Sequence, residues 1–323
     1  MSNGIAVDLG RARTRVMSSS GELLVDEPTV AAAEIGSERL VAFGASAAEM
    51  RGRAAGEVAL VRPVRDGKLH DLHLTDQVCA ELLSRAKRAG IHRPDVLCCV
   101  PAAATSVQRR ALERSFKQAG ARRTEFLDHA TACGIGAQLR LEEPVASMIV
   151  DMGASTTDIA VIALGGVVTE ASVPLGGESL DDDIRQLCER SFDLLVDAAT
   201  AEAVKVSIGT AWPTEEEKVE VHGRDSATGE PRVVVLSRGE VATAMAESID
   251  AIVGAAVRCI TDAPPDLAND LLSRGLHLAG RGGLLDGYDR RLATSAGIPV
   301  HIVDDPGRAA VRGGARCLAL FRR

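Results

Sequence analysis

The sequence contains two copies of one short pattern, in which an aspartate, an apolar residue and a glycine are followed by three residues and a threonine. The copies are Asp8-Leu9-Gly10-Arg11-Ala12-Arg13-Thr14 and Asp151-Met152-Gly153-Ala154-Ser155-Thr156-Thr157. Either copy alone would be a common way to end a strand. Each copy follows an apolar run, and the second also leads into one. The pattern therefore predicts a strand, a tight turn and a second strand rather than a strand that enters a helix.

The residue types in these turns suit charged ligands. Glycine lets backbone N–H groups approach and cradle an anion, and an aspartate at a strand end can hold a hydrated divalent cation. Two such hairpins facing each other would form a phosphate clamp. A third glycine-rich turn, Gly280-Arg281-Gly282-Gly283, follows a strand predicted at 275–278. Glycine turns at strand ends, spread over the chain, indicate a nucleotide held between two halves.

Several classes of protein are excluded by what the sequence lacks. No G-x-x-x-x-G-K-[ST] motif occurs, so the chain is not a P-loop NTPase, and no G-x-G-x-x-G turn joins a first strand to a helix as in a Rossmann fold. The net charge of -8 and the pI near 5.5 argue against nucleic-acid binding through a basic face.

The sequence also indicates where the protein works. The seven cysteines form no C-x-x-C pair, which favours buried thiols in a reducing cytoplasm. No apolar run reaches the roughly 18 residues of a membrane span, and the first residues lack a signal-peptide pattern. We therefore expect a cytoplasmic protein that contacts a membrane peripherally at most.

Hydrophobic periodicity predicts alternating strands and helices over the 323 residues. The predicted strands are 4–9, 13–18, 28–33, 95–100, 124–127, 147–152, 157–164, 167–173, 275–278 and 299–303. The predicted helices are 75–88, Thr105 to Gly120, 130–139, 178–192, 201–209, 238–261 and 307–320. We expect Gly134 and Gly136 to let helix 130–139 pack closely on the sheet. Such a pattern with crossovers predicts an α/β fold with two related lobes.

The order of four motifs resembles one known superfamily over almost the whole chain. The motifs are DLGRART with VDEPTVAA, VRPVRDGKLHD, IVDMGASTTDIAVIALGG and GLHLAGRGGLLDGYDRR. They are similar to the first phosphate loop, a small-subdomain segment, the second phosphate loop and the adenosine motif of the actin/Hsp70/sugar-kinase ATPases. Within that superfamily the chain resembles the MreB/Mbl family of bacterial actin homologues, as a divergent paralogue.

The resemblance implies an actin-like ATPase fold, in which two duplicated ribonuclease-H-like lobes each contain a mixed sheet and flanking helices. Lobe I would span 1–144 with a small subdomain inserted at about 34–76. Lobe II would span 145–323 with a small subdomain at about 181–243. ATP or ADP would bind in the cleft between the lobes with Mg²⁺.

The resemblance also assigns roles to individual residues. The implied phosphate contacts are Gly10, Arg11, Ala12, Arg13, Thr14, Gly153, Ala154, Ser155 and Thr156. The implied adenosine contacts are Glu202, Lys205, Gly280, Arg281 and Gly282, although Glu202 and Lys205 also have the spacing of an ordinary helix-surface pair. Asp8 and Asp151 would hold the hydrated magnesium ion.

Some residues depart from the family pattern. His129 stands where the family has a glutamate that orients the attacking water, so we expect hydrolysis to be weak or lost. Arg11, Arg13, Ala154, Ser155 and Arg281 replace smaller residues or glycines in the loops. Arg11 and Arg13 either pair with phosphate oxygens or fill an empty site, and the sequence leaves both alternatives open.

The implied function is that of a filament subunit for cell shape and cell-wall synthesis, and at most a weak ATPase. Its implied partners are further copies of itself, an MreB paralogue and proteins of cell-wall synthesis or membrane morphogenesis. The loop 88–94 offers only Ile91 for membrane insertion, so contact with the inner face of the cell membrane should be weak. One alternative is a nucleotide-free pseudo-actin that copolymerises with or regulates an MreB. The other is an Hsp70-type or sugar-kinase-type ATPase.

Overall fold

The structure is a computed structural model that describes residues 3–52, 56–65, 68–69, 71–212 and 217–320. Parts of the predicted subdomains (53–55, 66–67, 70 and 213–216) and both chain ends (1–2 and 321–323) lie outside the described residues. The chain divides into two compact units, of which the first contains Met1–Leu141 and Gly307–Arg323 and the second contains Glu142–Pro306. This division differs from the predicted one, which placed 145–323 in one lobe.

The first unit is built on a mixed sheet. Its strands are β1 (Gly4–Leu9), β2 (Arg13–Ser18), β3 (Leu23–Pro28), β4 (Ala31–Glu34), β5 (Leu40–Phe43), β6 (Val58–Val61), β7 (Val64–Arg65), β8 (Lys68–Leu69), β9 (Asp95–Val100) and β10 (Arg123–Asp128). The main sheet has the order β10-β9-β1-β2-β3, and β4 pairs with β5 and β6 in a smaller sheet. The strand predicted at 28–33 is wrong. β3 ends at Pro28, which has no N–H to continue the ladder, and β4 begins at Ala31.

Successive side chains of a strand point to opposite faces of the sheet, and helices cover the apolar side chains of this sheet. The helices are α1 (Ala45–Glu49), α2 (Leu72–Arg88), α3 (Ser106–Gln118) and α4 (His129–Gly136). Ile5 and Val7 of β1 belong to the same buried cluster as Leu82 of α2 and Phe116 of α3. Thr105 is the N-cap of α3 and forms a capping box with Gln108, in which each side chain accepts a hydrogen bond from the other residue's backbone N–H group.

The second unit repeats this plan. Its strands are β11 (Ser147–Met152), β12 (Thr157–Ala163), β13 (Gly166–Val173), β14 (Leu194–Leu195), β15 (Lys218–Asp225), β16 (Pro231–Ser237), β17 (Leu276–Ala279) and β18 (Val300–Ile302). The main sheet has the order β13-β12-β11-β17-β18, and β14, β15 and β16 form a smaller one. In both main sheets the strand that carries the repeated aspartate pairs antiparallel with the next strand and parallel with a later one.

The helices of the second unit surround one large core. They are α5 (Gly177–Phe192), α6 (Ala198–Ile208), α7 (Arg238–Thr261), α8 (Pro265–Arg274) and α9 (Tyr288–Ala296). Met148, Val150 and Met152 of β11 lie in a buried cluster with Ile184 of α5 and Ile252 of α7. Helix α8 was missed by the sequence prediction. Among the described residues, no helix is both long and apolar enough to cross a membrane.

The last helix, α10 (Ala309–Leu320), returns to the first unit. Val311, Ala315 and Leu318 form a buried cluster with Ala6 of β1 and Leu97 of β9, on the sheet face opposite α2 and α3. The last helix therefore does not belong to the second lobe, because its apolar side completes the core of the first unit.

Helices α4 and α10 touch through their backbones. A Cβ atom on Gly136 would lie 2.0 Å from the Ala309 oxygen, and one on Gly313 would lie 1.8 Å from the Ala132 oxygen. Arg316 Nη1 donates to the oxygens of Ile135 and Gly136 at 3.0 and 2.7 Å. The close approach predicted for Gly136 thus serves a contact with α10, and Arg316 satisfies the carboxyl end of α4.

Candidate functional site

The repeated aspartate patterns form hairpins with matching turns. In the first, Gly10 N donates to Arg13 O at 3.1 Å and Leu9 lies opposite Thr14. In the second, Gly153 N donates to Thr156 O at 2.9 Å and Met152 lies opposite Thr157. The predicted sequence of strand, tight turn and strand is confirmed in both copies.

In the first unit, Asp8 is buried at the end of β1 among basic side chains. Arg15 lies opposite it on β2, and Arg15 Nη1 is 3.4 Å from Asp8 Oδ2. His129 Nε2 is 3.4 Å from Asp8 Oδ1. Burial raises the pKa of the Asp8 carboxyl, but the hydrogen bond and charge of His129, with the charge of Arg15, outweigh it and hold this pKa below its ordinary value. Asp8 is therefore a carboxylate with a basic group beside each oxygen.

Arg13 of the first phosphate loop reaches toward β3. Its Nε donates to Asp26 Oδ1 and its Nη2 to Asp26 O, both at 2.7 Å. Arg15 Nε also lies 3.4 Å from Asp26 Oδ1, and Arg308 Nε donates to Asp26 Oδ2 at 2.9 Å. Burial raises the pKa of Asp26, but the hydrogen bonds of Arg13 and Arg308 and the charge of Arg15 outweigh this effect. The pKa of Asp26 is therefore below its ordinary value. Of the two alternatives left open for Arg13, the structure has its guanidinium bound to a carboxylate of the chain.

The rest of the first turn is held by its backbone. Ala12 is exposed and its oxygen accepts from Thr29 N at 2.9 Å, while Arg11 O accepts from Arg62 Nη1 at 3.3 Å. The hydroxyl groups of Thr14 and Thr29 share a buried hydrogen bond of 2.8 Å. These contacts fix the shape of the loop through Thr14 of β2, Thr29 after β3, and Arg62 between β6 and β7.

His129 owes its position to the junction of β10 and α4. The preceding residue, Asp128, is the N-cap of α4, and its carboxylate pairs with Arg109 of α3 at 2.6 Å. At the other end of α4, Arg316 of α10 binds the last carbonyl groups. The imidazole is therefore held beside Asp8 by a helix anchored at both ends.

In the second unit, the turn after β11 joins the start of α5. Gly177 N donates to Gly153 O at 3.0 Å, and Glu178 N donates to Ala154 O at 2.7 Å. A Cβ atom on Gly176 would lie 2.7 Å from Gly153 O, so glycine is needed for this approach. Ser155 and Thr156 are half-buried in the same turn. The first amides of α5 are thus satisfied by carbonyl groups of the second phosphate loop.

Asp151 faces another acid. It is paired across the hairpin with Asp158 of β12, and both residues are buried. A carboxylate oxygen of each lies within 4.8 Å of the other. Like charges directly opposite on neighbouring strands repel, and a divalent cation bound by carboxylate oxygens relieves this repulsion. The donor set of this pair fits the magnesium ion that the sequence predicted.

The adenosine turn lies against the end of β11. Gly280 has φ +77°, and a Cβ atom on it would lie 2.2 Å from Met152 O and 2.6 Å from Asp151 Oδ1. A Cβ atom on Gly282 would lie 2.4 Å from Met152 Cγ. Arg281, between them, is exposed and begins a short 3₁₀ turn. Gly280 and Gly282 thus lie at positions that exclude a side chain.

Lys205 of α6 holds the start of α5. Its Nζ donates to Gly177 O at 2.7 Å and lies 2.6 Å from Asp181 Oδ1. Burial raises the pKa of the Asp181 carboxyl, Lys205 opposes this rise, and the nearby Glu202 and Glu178 charges add to it. Glu202 is exposed. The interpretation of Glu202 and Lys205 as an isolated surface pair is therefore wrong for Lys205, whose partner is Asp181.

The structure thus brings together subsets of the predicted residues within each unit. In the first unit these are Asp8, Gly10 and His129, with Arg13 directed elsewhere. In the second unit they are Asp151, Gly153, Gly280, Gly282 and Lys205. The prediction missed Arg15 and Asp158. The hairpin spacing could have found both, because each lies five residues after the turn glycine and faces the aspartate on the neighbouring strand. Asp181 was not among the predicted site residues.

The paired α/β units, each with an aspartate-glycine hairpin at the centre of a mixed sheet, define an actin-like ATPase fold. Solved structures with this fold superpose over nearly the whole chain. The chain belongs to the MreB/Mbl family, because the model of that family, described as MreB/Mbl protein, matches residues 2–323. The family resemblance and the fold predicted from the sequence are both confirmed.

Individual relatives agree with this assignment. The chain is 38% identical over 327 residues to the cell shape-determining protein MreB of Escherichia coli (strain K12), covering 99% of this chain and 94% of that protein. The crystal structure of MreB5 of Spiroplasma citri bound to ADP has a TM-score of 0.90 at 28% identity, covering 96% of this chain and 94% of that one. The MamK double helical filament has a TM-score of 0.78 and covers 97% of both chains, but at 22% identity it shows the fold alone.

Proposed function

We propose that this protein is a cytoskeletal subunit that binds ATP or ADP and assembles head to tail into filaments that guide cell-wall synthesis and cell shape. The observation that carries the proposal is the duplicated hairpin, in which the same glycine turn follows an aspartate-bearing strand in each unit. Membership of the MreB/Mbl family supports the cellular role. A heterologous contact that does not close on itself generates an open filament.

The proposed nucleotide contacts follow the resemblance to the family. The glycine turns at Gly10 and Gly153 are the proposed phosphate-binding loops. Gly280 and Gly282 would lie near the adenosine, and Lys205 would contact it from α6. The related Spiroplasma citri MreB5 has been solved with ADP and with AMPPNP. These relatives support nucleotide binding by the chain. That carboxylate oxygens of the chain hold Mg²⁺ with the nucleotide is part of the proposal.

We propose that hydrolysis is weak because His129 occupies the position of the water-orienting residue. Its Nε2 lies 3.4 Å from the Asp8 carboxylate, which directs the imidazole toward this anion. An imidazole lacks the charge and the geometry with which a carboxylate orients an attacking water. The filament would then respond to nucleotide binding more than to turnover.

A second candidate function is a nucleotide-free subunit that copolymerises with an MreB paralogue. Arg13 favours it, since its guanidinium is occupied by Asp26. The start of α5 favours it too. The oxygens of Gly153 and Ala154 already accept the hydrogen bonds of amides that could otherwise donate to an anion. Under this alternative the chain's own residues stabilise the loops, and the partner subunits bind the nucleotide and respond to it.

Attachment to the membrane would depend on protein partners. Ile91, the apolar residue of the loop 88–94, is half-buried against the core of the first unit. Its side chain is thus not presented for insertion into lipid. Proteins of cell-wall synthesis or a membrane-bound MreB paralogue are the proposed route to the inner face of the membrane.

Assembly tests the proposed function. The purified protein is incubated with ATP, with ADP or without nucleotide, sedimented at high speed and examined by electron microscopy. We expect ATP to increase the sedimented fraction and to produce filaments. Equal sedimentation under all three conditions, with no filaments, would contradict the nucleotide-dependent function. Filaments that form only after an MreB paralogue is added would favour the copolymer alternative.

A further inference from the structure

We infer that His277 and His301 form a binding site for a divalent transition-metal ion, of the kind that prefers imidazole nitrogen, at the edge of the main sheet of the second unit. The two residues lie on neighbouring strands, β17 and β18, and neither is among the proposed nucleotide contacts. The inference goes beyond the proposed function and does not depend on nucleotide binding.

The register of the two strands places the histidines side by side. β17 and β18 pair in parallel, and His277 is the direct partner of His301. Successive side chains of a strand point to opposite faces of the sheet. Leu276, Leu278 and Val300 belong to the buried core of the second unit or pack against it. Both histidines therefore project from the opposite face of the sheet.

The distance between the two imidazole rings suits two ligands of one ion. The ring centroids of His277 and His301 are 5.4 Å apart, and the ring planes are inclined at 35°. Two imidazoles that bind one tetrahedral ion through nitrogens at about 2 Å have ring centres roughly 5 Å apart. Rotation of the side chains can therefore form the site without a shift of either strand.

The imidazole of His277 is in the protonation state that binds a metal. Burial lowers its pKa, and the charges of His301 and Arg274 lower it as well, while the backbone of Met148 opposes this shift. The ring is therefore neutral at neutral pH, with a nitrogen lone pair that carries no proton. Its Nδ1 is buried and has no hydrogen-bond partner of good geometry among the described residues. A bound ion would account for such a nitrogen.

The charges beside the pair are compatible with a bound cation. Arg274 lies near His277, and its Nη2 donates to Glu143 Oε2 at 3.2 Å, so that a carboxylate offsets the guanidinium charge. His301 is exposed, and water can complete the coordination of an ion that the two rings bind. Imidazole ligands suit zinc, nickel and copper, whereas magnesium and calcium prefer oxygen. The site is therefore expected to select the first group of ions.

A bound ion would tie the edge strand to the rest of the sheet. β18 contains three residues, Val300–Ile302, and lies at the end of the sheet beside β17. An ion held by one histidine from each strand adds a link between them that the backbone pairing does not supply. Because the unfolded chain lacks this paired geometry, the ion would bind the folded chain preferentially and stabilise it.

The test measures Ni²⁺ binding by equilibrium dialysis to the full chain without a histidine tag, with excess Mg²⁺ to occupy sites built from carboxylates. H277N and H301N are each expected to bind about one Ni²⁺ per chain fewer than the wild type. H222N, which changes an exposed histidine of β15, should bind as much as the wild type. Equal binding by all four proteins, or a loss in only one of H277N and H301N, would overturn the inference.

Bound Cu²⁺ gives a second readout, because its electron paramagnetic resonance spectrum shows coupling to the coordinating nitrogens. We expect coupling to both imidazoles in the wild type and its loss in H301N, which alters an exposed side chain and should not disturb folding. Excess Ni²⁺ should raise the Tm of the wild type by about 2 °C or more and leave that of H301N unchanged. Identical copper spectra of the wild type and H301N would contradict the inference even if H277N failed to fold. Either result would leave the proposed nucleotide function unaffected.

Discussion

Replacing Gly313 with alanine is expected to lower the free energy of unfolding by about 3 kcal/mol, the upper part of the usual range for an overpacked core. The added Cβ atom would lie 1.8 Å from Ala132 O and 2.9 Å from Gly136 N, both backbone atoms of α4 that cannot rotate away. α10 and α4 would have to separate. The corresponding fall in Tm, of about 6 °C or more, can be measured by thermal unfolding followed by circular dichroism.

Gly239 provides the matched control. It is exposed near the start of α7, and a Cβ atom on it would meet no heavy atom within 4 Å. Gly239→Ala should leave stability unchanged or raise it by about 0.5 kcal/mol, because alanine is the better helix former. If Gly313→Ala melted at the temperature of Gly239→Ala, α10 would not touch α4 through its backbone, and its assignment to the first unit would be wrong.

Replacing His129 with glutamate is expected to raise the rate of ATP turnover by about tenfold or more, toward the range that a positioned general base supplies. The carboxylate would accept a hydrogen bond from the attacking water and provide the charge that the imidazole lacks. It would also lie close to the Asp8 carboxylate, and this repulsion should make the gain dependent on Mg²⁺. Phosphate release at saturating ATP, measured with and without excess Mg²⁺, tests both statements.

Two variants make this result specific. His129→Gln adds no charge beside Asp8 and still offers an oxygen to water, so it should raise turnover to a smaller extent. His222→Glu makes the same chemical change at an exposed position of β15 and should leave turnover unchanged. Turnover that stays at the wild-type rate in both His129 variants would show that this residue is not what limits hydrolysis.

The hairpins could be predicted from sequence because their determinants are local. The glycine, the flanking apolar runs and the spacing to the threonine lie within a few residues of one another and specify strand, turn and strand. The pairs Asp8–Arg15 and Asp151–Asp158 follow from the same register. Predicting these pairs requires the register across the hairpin as well as the order of residues along the chain.

Contacts between distant residues could not be predicted in this way. Arg308 is far from Asp26 in the sequence, and nothing local to 307–320 indicates which sheet the helix covers. The direction of the Arg13 side chain depends on where β3 places Asp26. Likewise, Lys205 has an acid at helical spacing on its own helix, yet it pairs with Asp181 of α5 because α5 and α6 lie side by side.

The most direct test of the central claim is equilibrium binding of ATP and ADP to the purified full chain in the presence of Mg²⁺, with phosphate release followed in the same sample. The duplicated hairpins predict saturable binding, with a dissociation constant of about 1 mM or lower, corresponding to at least about 4 kcal/mol of binding free energy. They predict this together with slow phosphate release. Absence of binding at millimolar concentrations of either nucleotide would contradict the claim and leave a subunit that works through its partners.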